Sequence, residues 1–446
     1  MKYISKKEMI CYGLSAAGVN TAALFLNAFV SSYWTDVVGI SAAAVGMIFL
    51  VCRIFDGVSD LTMGFVVDKT NSRFGKAKPW VFIGGVGSAI MGVLVFSIPE
   101  MQMTKMVIFA AVTYFLFFGV FNTMAGIAAS TMVSFMTDDS TERTSLGASF
   151  FTVQIIVMAL VTVVTTFAVP ALGGGKSGWS RYSMVLAVIA IVFLVIMLKN
   201  TTERFAPKPE ENGEKVTVKA ILKGLTQNKY FFLITIAGLL LNVGSTLMTS
   251  VGVYYANHVL KNPNMYSLLA IAALVPNIIG IPLSVPLVSR FGKYKVSVAG
   301  LVISVIGGAM IFLAPANIPF LTAALLIKGI GGAPMMASYS AFVAEAADYG
   351  QYRTGVAAQG VSFSGTSFGN KVGAGLAGAI MGIVLAIGGY EGTAAVQTDT
   401  AITTIQYLFI LGSTLPNLLM IPVILPFKKL QDMMPEINEK LHGGAK

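Results

Sequence analysis

The sequence predicts an all-α integral membrane protein, with twelve transmembrane helices in two pseudo-symmetric six-helix halves. Three observations predict it. Of 446 residues, 55% are hydrophobic and only 11% charged, whereas a soluble domain carries about 25% charge; the mean hydropathy is +0.78. Apolar runs of about 20 residues or more, enough to cross a bilayer as a helix, recur along the whole chain. A short loop motif returns 217 positions later, which divides the chain into two related parts.

The runs fall near 8–32, 41–67, 79–98, 104–135, 146–172 and 181–198, then near 230–256, 265–288, 295–315, 318–344, 356–388 and 401–427. The first half is therefore placed at 1–198 and the second at 230–427. Residues 199–229 contain Pro207, Pro209, Glu210, Glu211, Asn212, Gly213 and Glu214 and read as a solvated cytoplasmic loop, with a short amphipathic helix expected at 216–225. Residues 428–446 read as a cytoplasmic tail. The start Lys6-Lys7-Glu8 leads into an apolar run reaching Ser32, too long for a signal h-region and without an A-x-A-like site. The first run thus reads as a retained span. Cys11 and Cys52 both lie inside spans, so neither a disulfide framework nor a paired metal motif is expected.

Basic residues set the orientation. With twelve spans both termini share one side, and 23 of the 30 Lys and Arg fall in the pieces on that side. Lys105, Lys176, Arg181 and Lys261 occupy the opposite loops, and Arg53, Lys328 and Lys371 lie inside spans. Both termini and the central loop are expected in the cytoplasm, in the plasma membrane of the cell. The net charge of +10 is this inner-face excess, and no nucleic-acid partner is needed to explain it.

The second run carries the stretch Arg53-Ile54-Phe55-Asp56-Gly57-Val58-Ser59-Asp60. On a helix, positions 53, 56 and 60 share one face. Each charge at membrane depth costs roughly 2.5–3.5 kcal/mol on insertion scales, which makes the cluster a candidate cation or proton site. The alternative is a structural ion pair between Arg53 and one aspartate, which leaves the second carboxylate over. The loop motif is Ser72-Arg73-Phe74-Gly75-Lys76-Ala77-Lys78, repeated as Ser289-Arg290-Phe291-Gly292-Lys293-Tyr294-Lys295. At the same offset Asp60 meets Asn277, Asp56 meets Ala273 and Arg53 meets Ala270. The charges belong to one half, so they are not scaffold common to both.

Together with Tyr33-Trp34-Thr35-Asp36-Val37-Val38-Gly39, Arg73-Phe74-Gly75-Lys76-Ala77-Lys78-Pro79-Trp80 and Asp348-Tyr349-Gly350-Gln351-Tyr352-Arg353-Thr354-Gly355, this stretch resembles the glycoside–pentoside–hexuronide:cation symporters. That family is a branch of the major facilitator superfamily typified by the melibiose permease, and the likeness covers most of the chain. It implies the major facilitator fold and uptake of a sugar or glycoside driven by Na⁺ or H⁺ symport through alternating access. By resemblance Asp56 and Asp60 bind the cation, with hydroxyls of Ser59 and Thr123 completing the set. Two nearby carboxylates also raise one pKa, which suits a proton instead, and the choice between the ions stays open. Lys371 matches a family lysine near both sites and implies coupling or charge balance, with Arg53 in a similar role.

The resemblance weakens at the sugar positions. The family's acidic and basic sugar ligands are replaced by Val19-Asn20, Gly126 and Ser149. Asn20, Asn27, Asn122, Thr366, Ser367 and Asn370 are the remaining candidate substrate ligands. Asp68, Arg73, Gly75, Lys76, Arg290, Gly292 and Lys293 resemble the superfamily's cytoplasmic gating motif. Lys328 matches no family role and is read either as snorkelling to the interface or as a substrate-facing charge. The second reading motivates an alternative cargo, an organic anion or lipid-like solute; a non-transporting sensor on the same fold is a further alternative. Gly369/Gly373 and Gly378/Gly382 have G-x-x-x-G spacing and are read as helix packing. His258 and His442 are the two histidines, and no P-loop, zinc or Ser/His/Asp motif occurs. No enzyme activity, cofactor or metal beyond a coupling Na⁺ is expected, and the protein is expected to work as a monomer.

Overall fold

The structure is a computed structural model, and it describes all residues except 1–3, 71, 73, 138–139, 205–227, 355–358, 395 and 443–446. Among the described residues the regular structure is helical. The first half comprises α1 (Lys6–Ser32), α2 (Ala42–Lys69), α3 (Lys78–Val95), α4 (Met103–Phe115), α5 (Thr123–Met136), α6 (Ser140–Ala171) and α7 (Gly175–Asn200). The second comprises α8 (Lys229–Tyr254), α9 (Met265–Phe291), α10 (Lys293–Met310), α11 (Ile318–Thr354), α12 (Gln359–Ile387), α13 (Asp399–Ile424) and α14 (Phe427–His442). π-Helical turns extend α1 (Tyr33–Val38) and α8 (Tyr255–Val259), and a third, Leu116–Asn122, joins α4 to α5 as one span. Eleven of these helical segments are long and apolar enough to cross a membrane. α2, at 28 residues, is also long enough at about 1.5 Å per residue. This is a multi-pass membrane protein.

The helix starts follow from local chemistry. Ser5 caps α1 by accepting from the Glu8 amide at 3.1 Å, a Ser-x-x-Glu start of the capping-box type. The Asn228 side chain caps α8, accepting from the amides of Tyr230 at 3.1 Å and Phe231 at 3.2 Å. Gly292, at φ 82, separates α9 from α10 with a left-handed turn that suits glycine. Pro276, Pro282 and Pro286 lie inside α9, as membrane helices tolerate when neighbours satisfy the freed carbonyls. Large apolar side chains such as Phe151, Leu160, Val188, Leu283 and Val285 are exposed. A soluble protein rarely leaves so much apolar surface open, and lipid is its natural solvent.

Packing divides the chain into two units: Met1–Gly213 with Leu385–Thr398, and Glu214–Val384 with Asp399–Lys446. In the first, Tyr12, Val19, Val81, Ala125, Met132 and Leu194 share a core. In the second, Tyr230, Ile234, Leu301, Phe342, Met420 and Phe427 do so. The helix pairings repeat. α1 packs on α7, α3 on α7, α3 on α5 and α2 on α5; likewise α8 packs on α13, α10 on α13, α10 on α11 and α9 on α11. The loop repeat therefore has a counterpart in the packing of each unit. Gly369 and Gly373 of α12 lie against Thr235 and Leu239 of α8, as the glycine spacing predicts.

Two boundaries differ from a simple reading by hydropathy. Residues Leu385–Thr398 join the first unit, although they follow the fifth span of the second half. Most of the expected tail forms α14, whose Leu430, Met434 and Ile437 are buried in the core of the second unit. The apolar residues recur every three to four positions, which is one face of a helix. The amphipathic helix expected at 216–225 lies outside the described residues.

A carboxylate–hydroxyl cluster in the first unit

α2 carries Asp56 into the interior, where it is only 2% exposed. The π-helical turn Leu116–Asn122 re-aims the chain opposite it, as such insertions do at functional sites, and places Thr123 first on α5. Thr123 Oγ1 lies 2.6 Å from Asp56 Oδ1 and 3.0 Å from the Phe118 carbonyl. Its single proton serves one acceptor at a time, and the carboxylate oxygen is the closer of the two. Ser59 Oγ lies 2.9 Å from the Asp56 carbonyl and 3.4 Å from Thr123 Oγ1. One carboxylate oxygen and two hydroxyl oxygens thus converge from two helices.

The other carboxylate oxygen faces Arg53. Its Nη1 is 3.5 Å from Asp56 Oδ2, and its Nη2 donates to Asn27 Oδ1 at 2.5 Å. The guanidinium also lies over the Phe118 ring, 3.6 Å from its centre, a cation–π contact. The structural ion pair considered above is therefore present, on one oxygen of a carboxylate whose other oxygen meets the hydroxyls. Asp60 is half-buried one turn further along α2. All these groups are oxygen donors apart from Arg53, and hard cations prefer oxygen. Among the described residues no group of three His, Cys, Asp or Glu forms a metal cluster.

This unit belongs to a chain that matches the MFS/sugar transport protein family over residues 11–428. The chain belongs to that family. Relatives include the isoprimeverose transporter of Lactiplantibacillus pentosus, 27% identical over 90% of this chain and 84% of that protein. The glucuronide carrier protein homolog of Escherichia coli is 28% identical over 98% of this chain and 96% of its own length. Among solved structures, the D323A mutant of the nucleoside transporter NupG superposes with a TM-score of 0.68 at 15% identity, covering 93% of this chain and 98% of that one. That likeness shows the fold, the major facilitator architecture.

The remaining expected site residues of the transporter separate into groups. Asn122 Nδ2 approaches the Val19 carbonyl at 3.5 Å, while Asn20 is half-buried. In the second unit Thr366 is buried, Ser367 is exposed, and Asn370 Oδ1 accepts from the Tyr339 hydroxyl at 3.4 Å. Tyr339 and Asn370 both abut Gly238 of α8, so Asn370 takes part in helix packing. Lys371 is half-buried in α12 and belongs to the second unit. Lys328 overturns the snorkelling expectation. It is 5% exposed, hydrogen-bonded to Ser413, with Met248 Sδ at 3.9 Å. Its stem cannot be reaching an interface when its amine is bonded to α13.

The loop motif finds partners that sequence reasoning missed. Gly75, at φ 111, turns the chain so that the Glu203 carboxylate accepts from the amides of Lys76 at 2.6 Å, Ala77 at 3.0 Å and Lys78 at 2.7 Å. Glu203 thereby caps the N-terminus of α3, where an anion is favoured. Arg204 forms a two-pronged ion pair with Glu8, at 2.9 and 3.0 Å, and this hydrogen bonding raises its already high pKa. Residues 201–204 are therefore fastened to the first unit rather than freely solvated. In the repeat, Lys293 pairs with Glu345 of α11, and Arg290 is exposed. The Asp68 side chain and Arg73 lie outside the described residues. Glu203 carried no signal in sequence, because it sits among the charged residues of a linker.

Proposed function

We propose that the protein is a symporter that takes up a sugar or glycoside together with Na⁺ or H⁺, by alternating access. The observation carrying this reading is the convergence of Asp56, Thr123 and Ser59 inside a chain of the MFS/sugar transport protein family. Asp56 and Asp60 hold the cation, Ser59 and Thr123 contribute oxygens, and Lys371 balances charge when the cation leaves. The protein works as a monomer in the plasma membrane, with both termini cytoplasmic. Glycosides are the default cargo because relatives include an isoprimeverose transporter and a glucuronide carrier homolog. A sugar acid or sulfonate is the second reading. It draws on a relative named as a putative sulfoquinovose importer, 24% identical, and no longer on Lys328, whose amine is bonded to Ser413.

Right-side-out vesicles given separate Na⁺ and H⁺ gradients test the proposal, with isoprimeverose and methyl β-D-glucuronide as labelled probes. Accumulation is expected under one gradient and should vanish in Asp56→Asn and in Asp60→Asn. Full accumulation in both variants would falsify the coupling site.

A further inference from the structure

The turn Tyr33–Val38 at the end of α1 has no part in the cation cluster, yet it holds a carboxylate with an unusual set of partners. Asp36 accepts from Ser32 Oγ at 3.0 Å, Thr35 Oγ1 at 2.5 Å and the Tyr390 hydroxyl at 2.7 Å. Among the described residues no Lys or Arg pairs with it. One donor, Thr35, lies in the turn itself, the second, Ser32, is the last residue of α1, and the third comes from Leu385–Thr398. That segment is grouped with the first unit, while the chain enters it from Val384 and leaves it to Asp399, both of the second.

The segment is shaped for this seat. Gln397 fixes its turn from both sides, accepting from the Glu391 amide at 3.2 Å and donating to the Glu391 carbonyl at 2.5 Å. Gly392 lies flat against the Thr35 backbone, where any Cβ would collide with the Thr35 carbonyl. A Cβ on Gly39 would stand 3.3 Å from Thr393 Cγ2. A charge-assisted hydrogen bond, a glycine-only approach and a preformed turn meet at one place. Yet the bond itself is a single hydroxyl to a carboxylate, which can break at modest cost.

We propose that residues 385–398 are a strap, buckled by the Tyr390–Asp36 hydrogen bond, that is released and refastened in each transport cycle. Tyr390 is a positioning residue that acts through Asp36. The inference rests on the transport reading above, since alternating access moves the elements that the strap's two ends continue into. On that topology the buckle lies at the outer face, opposite the amino terminus.

The test uses the full chain in proteoliposomes. In the Gly39→Cys/Thr393→Cys pair a Cβ at position 39 would stand 3.3 Å from Thr393 Cγ2, within reach of a disulfide, and the native Cys11 and Cys52 are buried. Oxidation is expected to stop counterflow of isoprimeverose and methyl β-D-glucuronide while leaving their equilibrium binding intact, and reduction should restore it. A fully cross-linked protein that counterflows at the reduced rate overturns the strap. A second arm needs no cross-link. Tyr390→Phe should raise hydrogen–deuterium exchange across 385–398 on the order of tenfold, and unchanged exchange overturns the buckle. If the wild type counterflows neither probe, the sugar-transport reading fails by itself, and the exchange arm still decides whether Tyr390 fastens the segment.

Discussion

Asp56 shows how much depends on single atoms. Its two oxygens face different chemistry, hydroxyls on one side and a guanidinium on the other. In the proposed site a cation beside Oδ1 uses the Thr123 oxygen but not its proton, so Thr123→Ser should keep coupling. Thr123→Val should weaken apparent cation affinity on the order of tenfold, the worth of one lost hydrogen-bonding group, read as the Na⁺ or H⁺ concentration for half-maximal uptake. Arg53 competes for the same carboxylate. Arg53→Gln removes a nearby positive charge, so the half-saturating cation concentration should fall. Lys328 is a third case at this scale. Among the described residues its amine is bonded to Ser413 and to no carboxylate, and an apolar residue of similar length loses little. Lys328→Met is expected to leave the thermal unfolding midpoint equal or higher, and a large drop would show that the amine holds α11 to α13.

At the scale of elements, the fold uses short departures from α-helix to aim side chains. The π-helical turn before Thr123 and the one bearing Asp36 both place polar groups inside helices that otherwise present apolar and small residues. Glu203 does comparable work for α3. It collects the amide of Lys78 at the helix start and those of Ala77 and Lys76 just before it. Glu203→Ala should therefore lower stability by about 1–3 kcal/mol, measured as a downward shift of the unfolding midpoint in detergent. Glu203→Gln should recover part of it. Gly75→Ala should lower stability as well, because its positive φ disfavours a side chain and a Cβ there would meet the Glu203 carboxylate.

At the scale of the molecule, the repeated loop, the repeated helix pairings and the one-sided charges of α2 describe two related units that differ in buried charge. The repeat places Asn277 and Ala273 where α2 has its aspartates. The second unit thus has the scaffold without the carboxylates. Topology is the property of the whole that can be checked most directly. Single cysteines at Lys105 and Lys261 should react with an impermeant maleimide from outside intact cells, and a cysteine at Lys446 only after permeabilisation. Labelling in the reverse sense would invert the proposed orientation.

The sequence by itself determined the membrane class, the recurring long apolar runs, the returning loop motif and the face of α2 shared by Arg53, Asp56 and Asp60. Each is a local pattern: length of apolar run, recurrence of a motif, or spacing along one helix. Thr123 and Ser59 were reached through family resemblance, not through spacing. Only the tertiary structure decided which oxygen of Asp56 meets which partner, that Lys328 turns to Ser413, that Glu203 caps α3, and that Tyr390 fastens to Asp36. These pairs lie far apart in sequence, and their polar members look like ordinary loop or span residues until packing brings them together. A buried polar group must find a partner wherever the fold provides one, and that choice is made by the packing of helices, not by the residues next to it in the chain.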